Sequence, residues 1–170
     1  FGRHFKPGFQ SDFEPARAAQ DIAHLLRLGD QKPLIVELSE QDFGSKSLAL
    51  RLYHRSQYIP LSDVLPVLEH FGLRVLSERP YEIGGAKDET IWIQEFSLEY
   101  LSELFPDRVD LKRRFEAAFI RVWQGTCESD PFNRLLLGTC LDWQQIAVLR
   151  AYARYSKQIT FPYSLEFMAE

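Results

Sequence analysis

The sequence predicts an α+β fold, a four-stranded antiparallel sandwich followed by an all-helical motif. Three observations predict it. Apolar residues in the first part of the chain switch between helical and strand periods in the order helix, strand, strand, helix, strand, strand. After Pro106 the strand pattern stops and only helical spacing recurs. An apolar content of 45% over 170 residues supports one ordinary domain, or one small domain with a helical extension.

Phe1, Phe5, Phe9, Gly2, Gly8 and Pro7 show neither period, so residues 1–14 are expected to be an extended lead-in packed on a neighbour. Pro15 suits a first helical position. Behind it Ala18, Ala19, Ile22, Leu25 and Leu26 recur at three and four until Gly29 offers a stop, which predicts a short amphipathic helix. Leu34-Ile35-Val36-Glu37-Leu38 reads as a compact strand, and Leu48, Leu50 and Leu52 as a second strand with one buried face. A helix then opens at Leu61-Ser62-Asp63, with Ser62 as its expected N-cap and Val64, Leu65, Leu68 and Phe71 on one face. Gly72 suits the left-handed residue that ends it, and Pro66 is tolerable only near its first turn. Leu73 to Leu76 and Thr90 to Ile93 complete the strands around a turn at Gly84-Gly85-Ala86-Lys87-Asp88. Moving the first helix and strand to the end produces strand-helix-strand-strand-helix-strand, the split βαβ unit of a ferredoxin-like sandwich in circularly reordered form.

Val109, Leu111, Phe115, Ala118, Phe119 and Val122 trace the next helix, which stops near Gly125. Asp130-Pro131 caps a short segment to Leu137, Asp142 and Gln145 form a capping box before Ile146, Leu149 and Ala153, and Ser164 opens a last helix after Phe161-Pro162-Tyr163. The expected division is thus 1–14, 15–104 for the sandwich and 105–170 for the helical motif.

Charge and motif content exclude several functions. Net charge −4 argues against nucleic acid or anionic membrane as a partner. No apolar run approaches the ~20 residues of a membrane span, and no leader pattern opens the chain, so a cytoplasmic location is the expectation. The chain starts at Phe1 without a methionine, which fits a piece of a longer protein. Two cysteines, Cys127 and Cys140, make neither a disulfide framework nor a thiolate zinc site. His4, His24, His54 and His70 lack ligand spacing, so no metal is expected. Gly84-Gly85 lies between strands, and no phosphate loop or dinucleotide turn occurs, so no cofactor is expected in this segment. Acidic neighbours disfavour a nucleophile at Cys127. Glu37 with Glu40, and Asp107 with Asp110, are explained by solvation and capping, and Lys112-Arg113-Arg114 by the wet face of a helix. No catalytic residue is assigned. Glu128, Asp130, Asn133 and Arg134 gather acids and an amide around one arginine, which predicts a structural clasp between helices with Arg134 forking onto a carboxylate. A free-standing small enzyme built on that cluster is the weaker alternative.

Two blocks of residues resemble a known family. One is Leu61-Ser62-Asp63-Val64-Leu65-Pro66-Val67-Leu68-Glu69-His70-Phe71-Gly72-Leu73-Arg74-Val75 with Glu78-Arg79-Pro80-Tyr81. The other runs from Glu128 to Leu136, then Leu141-Asp142-Trp143, Val148-Leu149-Arg150-Ala151-Tyr152 and Tyr155-Ser156-Lys157-Gln158. Together they resemble the non-catalytic N-terminal half of the large bacterial NAD-specific glutamate dehydrogenases, at the third ACT-like module and the helical motif behind it. The resemblance runs from about Phe9 to Phe167, with Pro131 where the family carries glycine. It implies an ACT-like sandwich in an oligomeric parent enzyme that deaminates L-glutamate to 2-oxoglutarate and ammonia, with NAD bound in a dehydrogenase domain outside these residues. It also implies a regulatory or scaffolding role, with neighbouring modules of the same chain and further copies as partners. ACT modules bind amino-acid effectors near a Pro-Gly turn. Here Pro60, Leu61, Ser62 and Asp63 occupy that turn, and Leu61 replaces the glycine that lets backbone approach a ligand. Tyr152, Tyr155, Phe161 and Tyr163, with Phe1, Phe5 and Phe9, are expected at interfaces.

Overall fold

The computed structural model describes residues 15–29, 32–40, 47–55, 57–84, 90–101, 110–160 and 162–169. The expected lead-in, most of the Gly84–Asp88 turn, Pro106, Asp107, Val109 and Phe161 lie outside them. In chain order the elements are α1 (Pro15–Leu25), β1 (Leu34–Glu40), β2 (Ser47–Arg55), α2 (Leu61–His70), β3 (Leu73–Gly84), β4 (Thr90–Tyr100), α3 (Leu111–Trp123), a 3-10 turn (Pro131–Arg134), α4 (Leu135–Gly138), α5 (Trp143–Gln158) and α6 (Leu165–Ala169). The strands form one antiparallel sheet in the order β1-β2-β4-β3.

This is the reordered ferredoxin-like sandwich, with one correction. Only β1 has to move to the end for the order to become β2-α2-β3-β4-α3-β1. The second helix of the sandwich is therefore α3, not the opening helix. Phe71, the residue that caps the end of α2, meets Phe115 of α3 at 5.0 Å, and Phe115, Phe119 and Trp123 continue as a row of rings along α3. Leu34, Val36, Leu38, Leu50, Leu52, Phe96 and Leu98 of the sheet pack into the same core as α2 and α3. That core continues without a break into Phe132, Leu136, Leu137 and Ile146 of the helical motif.

Helix α1 lies on the opposite face of the sheet, where Leu25 and Leu28 join Ile35, Tyr53, Ile83, Ile91 and Ile93. For this reason β2 is buried on both faces rather than one. The α1 face also differs from the expected apolar stripe. Asp21 is fully buried, while Leu26 and Ala19 are exposed. The helix ends at Leu25, four residues before the glycine read as its stop.

Both later strands are longer than their apolar cores. In β3 the register shifts between Val75 and Ser77, so Leu76 bulges out of the ladder and is exposed. One extra residue exchanges the two faces. Leu73 and Val75 accordingly pack with α2, whereas Tyr81 and Ile83 pack with α1.

Helix termini follow local chemistry, with two exceptions. Pro60, not Ser62, is the N-cap of α2, and no side chain caps that end. Pro66 stands at the sixth helical position, inside the helix, where it deprives the Ser62 carbonyl of its usual donor. Gly72 does take the left-handed conformation, with φ 76°. Asp130 accepts from the Phe132 N–H, and the Asp142–Gln145 capping box forms. Ser164 Oγ accepts from the Phe167 N–H at the start of α6.

Candidate functional site

The Pro60–Asp63 turn lies at the N-terminus of α2. Pro60 is extended, Leu61, Ser62 and Asp63 are exposed, and Val64 is buried. The Asp63 N–H donates to the Pro60 carbonyl at 3.0 Å, which tightens the first turn, and Ser62 Oγ donates to Asp63 Oδ1 at 3.1 Å. Leu61 thus presents a side chain where the family's turn would present bare backbone.

What fastens this turn to the sheet is Gln94 on β4. Its amide nitrogen donates to the Ile59 carbonyl at 3.0 Å and to Glu78 Oε1 at 3.2 Å, while its oxygen accepts from the Ile59 N–H at 3.3 Å. Two pure acceptors on one side and an amide donor on the other fix the orientation of the Gln94 amide. His54 Nε2, 2.9 Å from Gln94 Oε1, must then be a donor. Burial lowers the His54 pKa against the opposing pull of that hydrogen bond, so the ring is held neutral.

At the other end of α2 stands the Glu128–Arg134 cluster. His70 Nδ1 lies 2.9 Å from Ser129 Oγ, and a Cβ added at Gly72 would meet the Arg134 Cβ at 3.5 Å. The cation that the cluster holds is not the one expected. Arg150 of α5 forks onto Asp130 through Nε at 2.6 Å and Nη2 at 2.9 Å, and Nη2 also donates to Asn133 Oδ1 at 2.7 Å. Burial pulls the Arg150 pKa down, but Asp130 outweighs it and the guanidinium stays charged. Arg154 pairs with Glu128, and Asn133 Nδ2 donates to the Glu128 carbonyl at 3.1 Å. Arg134 is not the residue on Asp130. A helical repeat brings Arg150 to the turn from sixteen or more residues away, and the local sequence around Asp130 carries no trace of it. Cys127 is half-buried, with its sulfur 3.9 Å from Arg150 Nη1, and Cys140 is exposed. Between residues 126–128 and α5 lies a hollow of about 440 Å³, whose walls include Cys127, Glu128, Arg150 and Arg154.

A third polar cluster sits on the α1 side of the sheet. The ladder places Glu37, Arg51 and Glu95 in one row across β1, β2 and β4. Above that row Asp21 accepts from Arg51 Nη1 at 3.0 Å and from the Tyr53 hydroxyl at 2.7 Å. Arg51 also pairs with Glu95, and Arg17 with Glu37 and Asp21. Burial opposes ionisation of Glu37, yet hydrogen bonds from Arg17 and Tyr53 hold its carboxyl down at about 2. Burial beside these carboxylates pushes the Tyr53 hydroxyl far up, so it remains a donor. His24 lies 4.9 Å from the Tyr53 ring, and burial lowers its pKa. Solvation and capping therefore do not explain Glu37. The signal available in sequence is one charged residue at the middle of each apolar strand, opposite in sign on neighbours.

Arg114 also departs from the wet-face reading. It is buried, and its Nη1 donates to the carbonyls of Leu136, Thr139 and Leu141 at 3.2, 2.7 and 3.0 Å, closing the end of α4. Lys112 and Arg113 are the exposed members, beside Glu37 with Glu116 and beside Asp110. Among the described residues no group of His, Cys, Asp and Glu could hold a metal ion, and no helix is long and apolar enough to cross a membrane.

Two family models match the chain. Residues 36–113 match the ACT3 domain of glutamate dehydrogenase, and residues 127–170 match its helical motif 3. The NAD-specific glutamate dehydrogenase of Halomonas elongata is 42% identical over 167 residues, covering 97% of this chain and 10% of the relative. That of Pseudomonas aeruginosa is 39% identical over 170 residues, covering 99% and 10%. That of Mycobacterium tuberculosis is 32% identical over 169 residues, covering 96% and 10%. The chain spans about a tenth of the length of these curated relatives.

Proposed function

Because the chain belongs to the glutamate dehydrogenase family through its ACT3 domain and helical motif 3, we propose that it is a non-catalytic regulatory and scaffolding segment of an NAD-specific glutamate dehydrogenase. In this reading the parent converts L-glutamate and NAD to 2-oxoglutarate, ammonia and NADH in the cytoplasm, and the dehydrogenase domain that binds NAD lies outside these residues. The segment acts by holding other modules in place rather than by touching substrate.

The observation that carries the scaffold reading is the unbroken core from the sheet through α2 and α3 into the 3-10 turn and α5. A sandwich and a helical motif that share a core move as one body. The charged groups of the Glu128–Arg154 cluster also support it, since Arg150 is bonded to Asp130 and Asn133 and Arg154 to Glu128 within the chain. An ion pair already satisfied offers a ligand little.

Calorimetric titration with glutamate, aspartate and arginine, beside an Asp63→Ala variant, tests the proposal. The expected result is no saturable heat from any of the three. Saturable binding that weakens in Asp63→Ala would replace the scaffold with an amino-acid sensor at the Pro60–Asp63 turn. The exposed first turn of α2 is the feature that favours that second reading.

A further inference from the structure

Helix α5 buries Ile146, Arg150 and Ala153 against the rest of the molecule and turns an apolar stripe outward. Val148, Tyr152, Tyr155 and Ile159 are 54%, 68%, 59% and 61% exposed. Their spacing is four, three, four, which keeps them on one side of a helix over three turns. Ala151 lies between them, and Val148, Ala151, Tyr152 and Tyr155 line a shallow groove of about 390 Å³.

We propose that this stripe is the contact surface for a second copy of the same chain, with the two α5 helices packed antiparallel about a two-fold axis. The inference rests on the scaffold reading and names its partner surface. Three observations commit it to a second copy. The spacing is palindromic, so a two-fold through the midpoint between Ala153 and Arg154 sets Val148 against Ile159 of the second copy and Tyr152 against its Tyr155. An isologous interface requires this self-complementarity. The residues beside the stripe, Gln144, Gln145, Ser156 and Gln158, are uncharged, so pairing brings no like charges together. Arg150 and Arg154 are neutralised by Asp130 and Glu128 of their own chain.

The area is also adequate. The exposed parts of Val148, Tyr152, Tyr155 and Ile159 amount to on the order of 500 Å² of largely apolar surface, most of the ~800 Å² per partner of a standard interface. The glutamines and serine at the rim supply the remainder. An apolar stripe of this size on an isolated surface is the mark of an interaction site.

Sedimentation velocity of the 170-residue chain over a wide concentration range tests the inference. The expected result is a monomer–dimer equilibrium whose dissociation constant rises at least tenfold in Tyr155→Glu and in Tyr152→Glu, with circular dichroism unchanged. Leu76→Glu, on the exposed bulge of β3, should leave dimerisation as it was. A photocrosslinker at position 148 should attach near residue 159 of an isotopically distinct copy. A strict monomer, a dimer indifferent to both tyrosine variants, or crosslinks landing outside residues 143–160 would each overturn the inference. The last outcome, in the full-length protein, would assign the stripe to another segment of the parent. None of these results bears on amino-acid binding, which the titration above decides separately.

Discussion

Asp21→Ala examines whether the buried ion network holds α1 on the sheet. Asp21 is fully buried and accepts from both Arg51 and Tyr53. Removing it takes a buried carboxylate from Arg51, which keeps its pair with Glu95, and one acceptor from the Tyr53 hydroxyl, which keeps Glu37. Breaking a buried pair by deleting one partner costs about 3–5 kcal/mol. The surviving partners put this case at the lower end, about 3 kcal/mol. In a chain of this size that corresponds to a fall in melting temperature of about 6–12 °C. Urea denaturation measures the loss, and amide exchange locates it. Protection should fall first in α1 and in the outer-facing part of β2, because local opening releases the helix before the shared core unfolds. Adding Arg51→Leu should recover only part of the loss, since it removes the stranded guanidinium but takes the cation from the partly exposed Glu95. A single-variant cost under ~1 kcal/mol would refute the argument, as would a double variant as unstable as the sum of the singles.

Two further predictions follow from the same chemistry. His54 and His24 are both held below the ordinary imidazole range by burial, so the unfolded chain takes up protons first as pH falls. Stability should be complete above pH ~6.5 and should decline below it toward the lowered folded values, by at most about 1.4 kcal/mol per pH unit per histidine; denaturation at pH 7.5 and 5.5 checks this, and His54→Gln should flatten the slope. In the clasp, Arg150→Ala should cost about 3 kcal/mol because it strands Asp130, whereas Arg154→Ala should cost under about 1 kcal/mol because its pair with Glu128 is half exposed; equal losses in thermal melts would contradict the assignment of Arg150 as the clasping cation.

The legible parts of the fold are those that a period or a cap encodes locally. Strand and helix positions, the left-handed Gly72, the Asp130 and Asp142 caps and the Ser164 start all follow from a few adjacent residues. What local reading assigns differently depends on which surface an element meets. α1 and α3 have similar apolar spacing, and nothing in either sequence says that α1 belongs on the outer face and α3 on the inner one. The charged residues carry that information. Asp21 on the buried side of α1 requires a cation, and Arg51 on β2 supplies it only on the outer face of the sheet. Once charged strand centres are treated as surface by default, Glu37 and Arg51 appear solvated and that clue is lost. Arg114 and Arg150 are hidden for the same reason, each being one of several cations on its helix and the one whose acceptors come from another element.

Placement of α1 also settles what surface the molecule has left to offer. With α2 and α3 on one face and α1 on the other, β2 and β4 are covered on both sides. Among the described residues an amino acid then meets the sandwich at its rim, and the Pro60–Asp63 turn is a rim feature pinned by Gln94 from within. From that turn α2 runs ten residues, about 15 Å, to His70 and Gly72, which abut Ser129 and Arg134. The two groups of residues singled out separately in the sequence therefore stand at opposite ends of one helix. A force on either end is carried along one helix, anchored by the buried Val64, Val67 and Leu68, into the motif that bears α5, and a scaffold needs such stiffness as much as a sensor does. Ligand binding at the turn, and not the architecture behind it, is what separates the two.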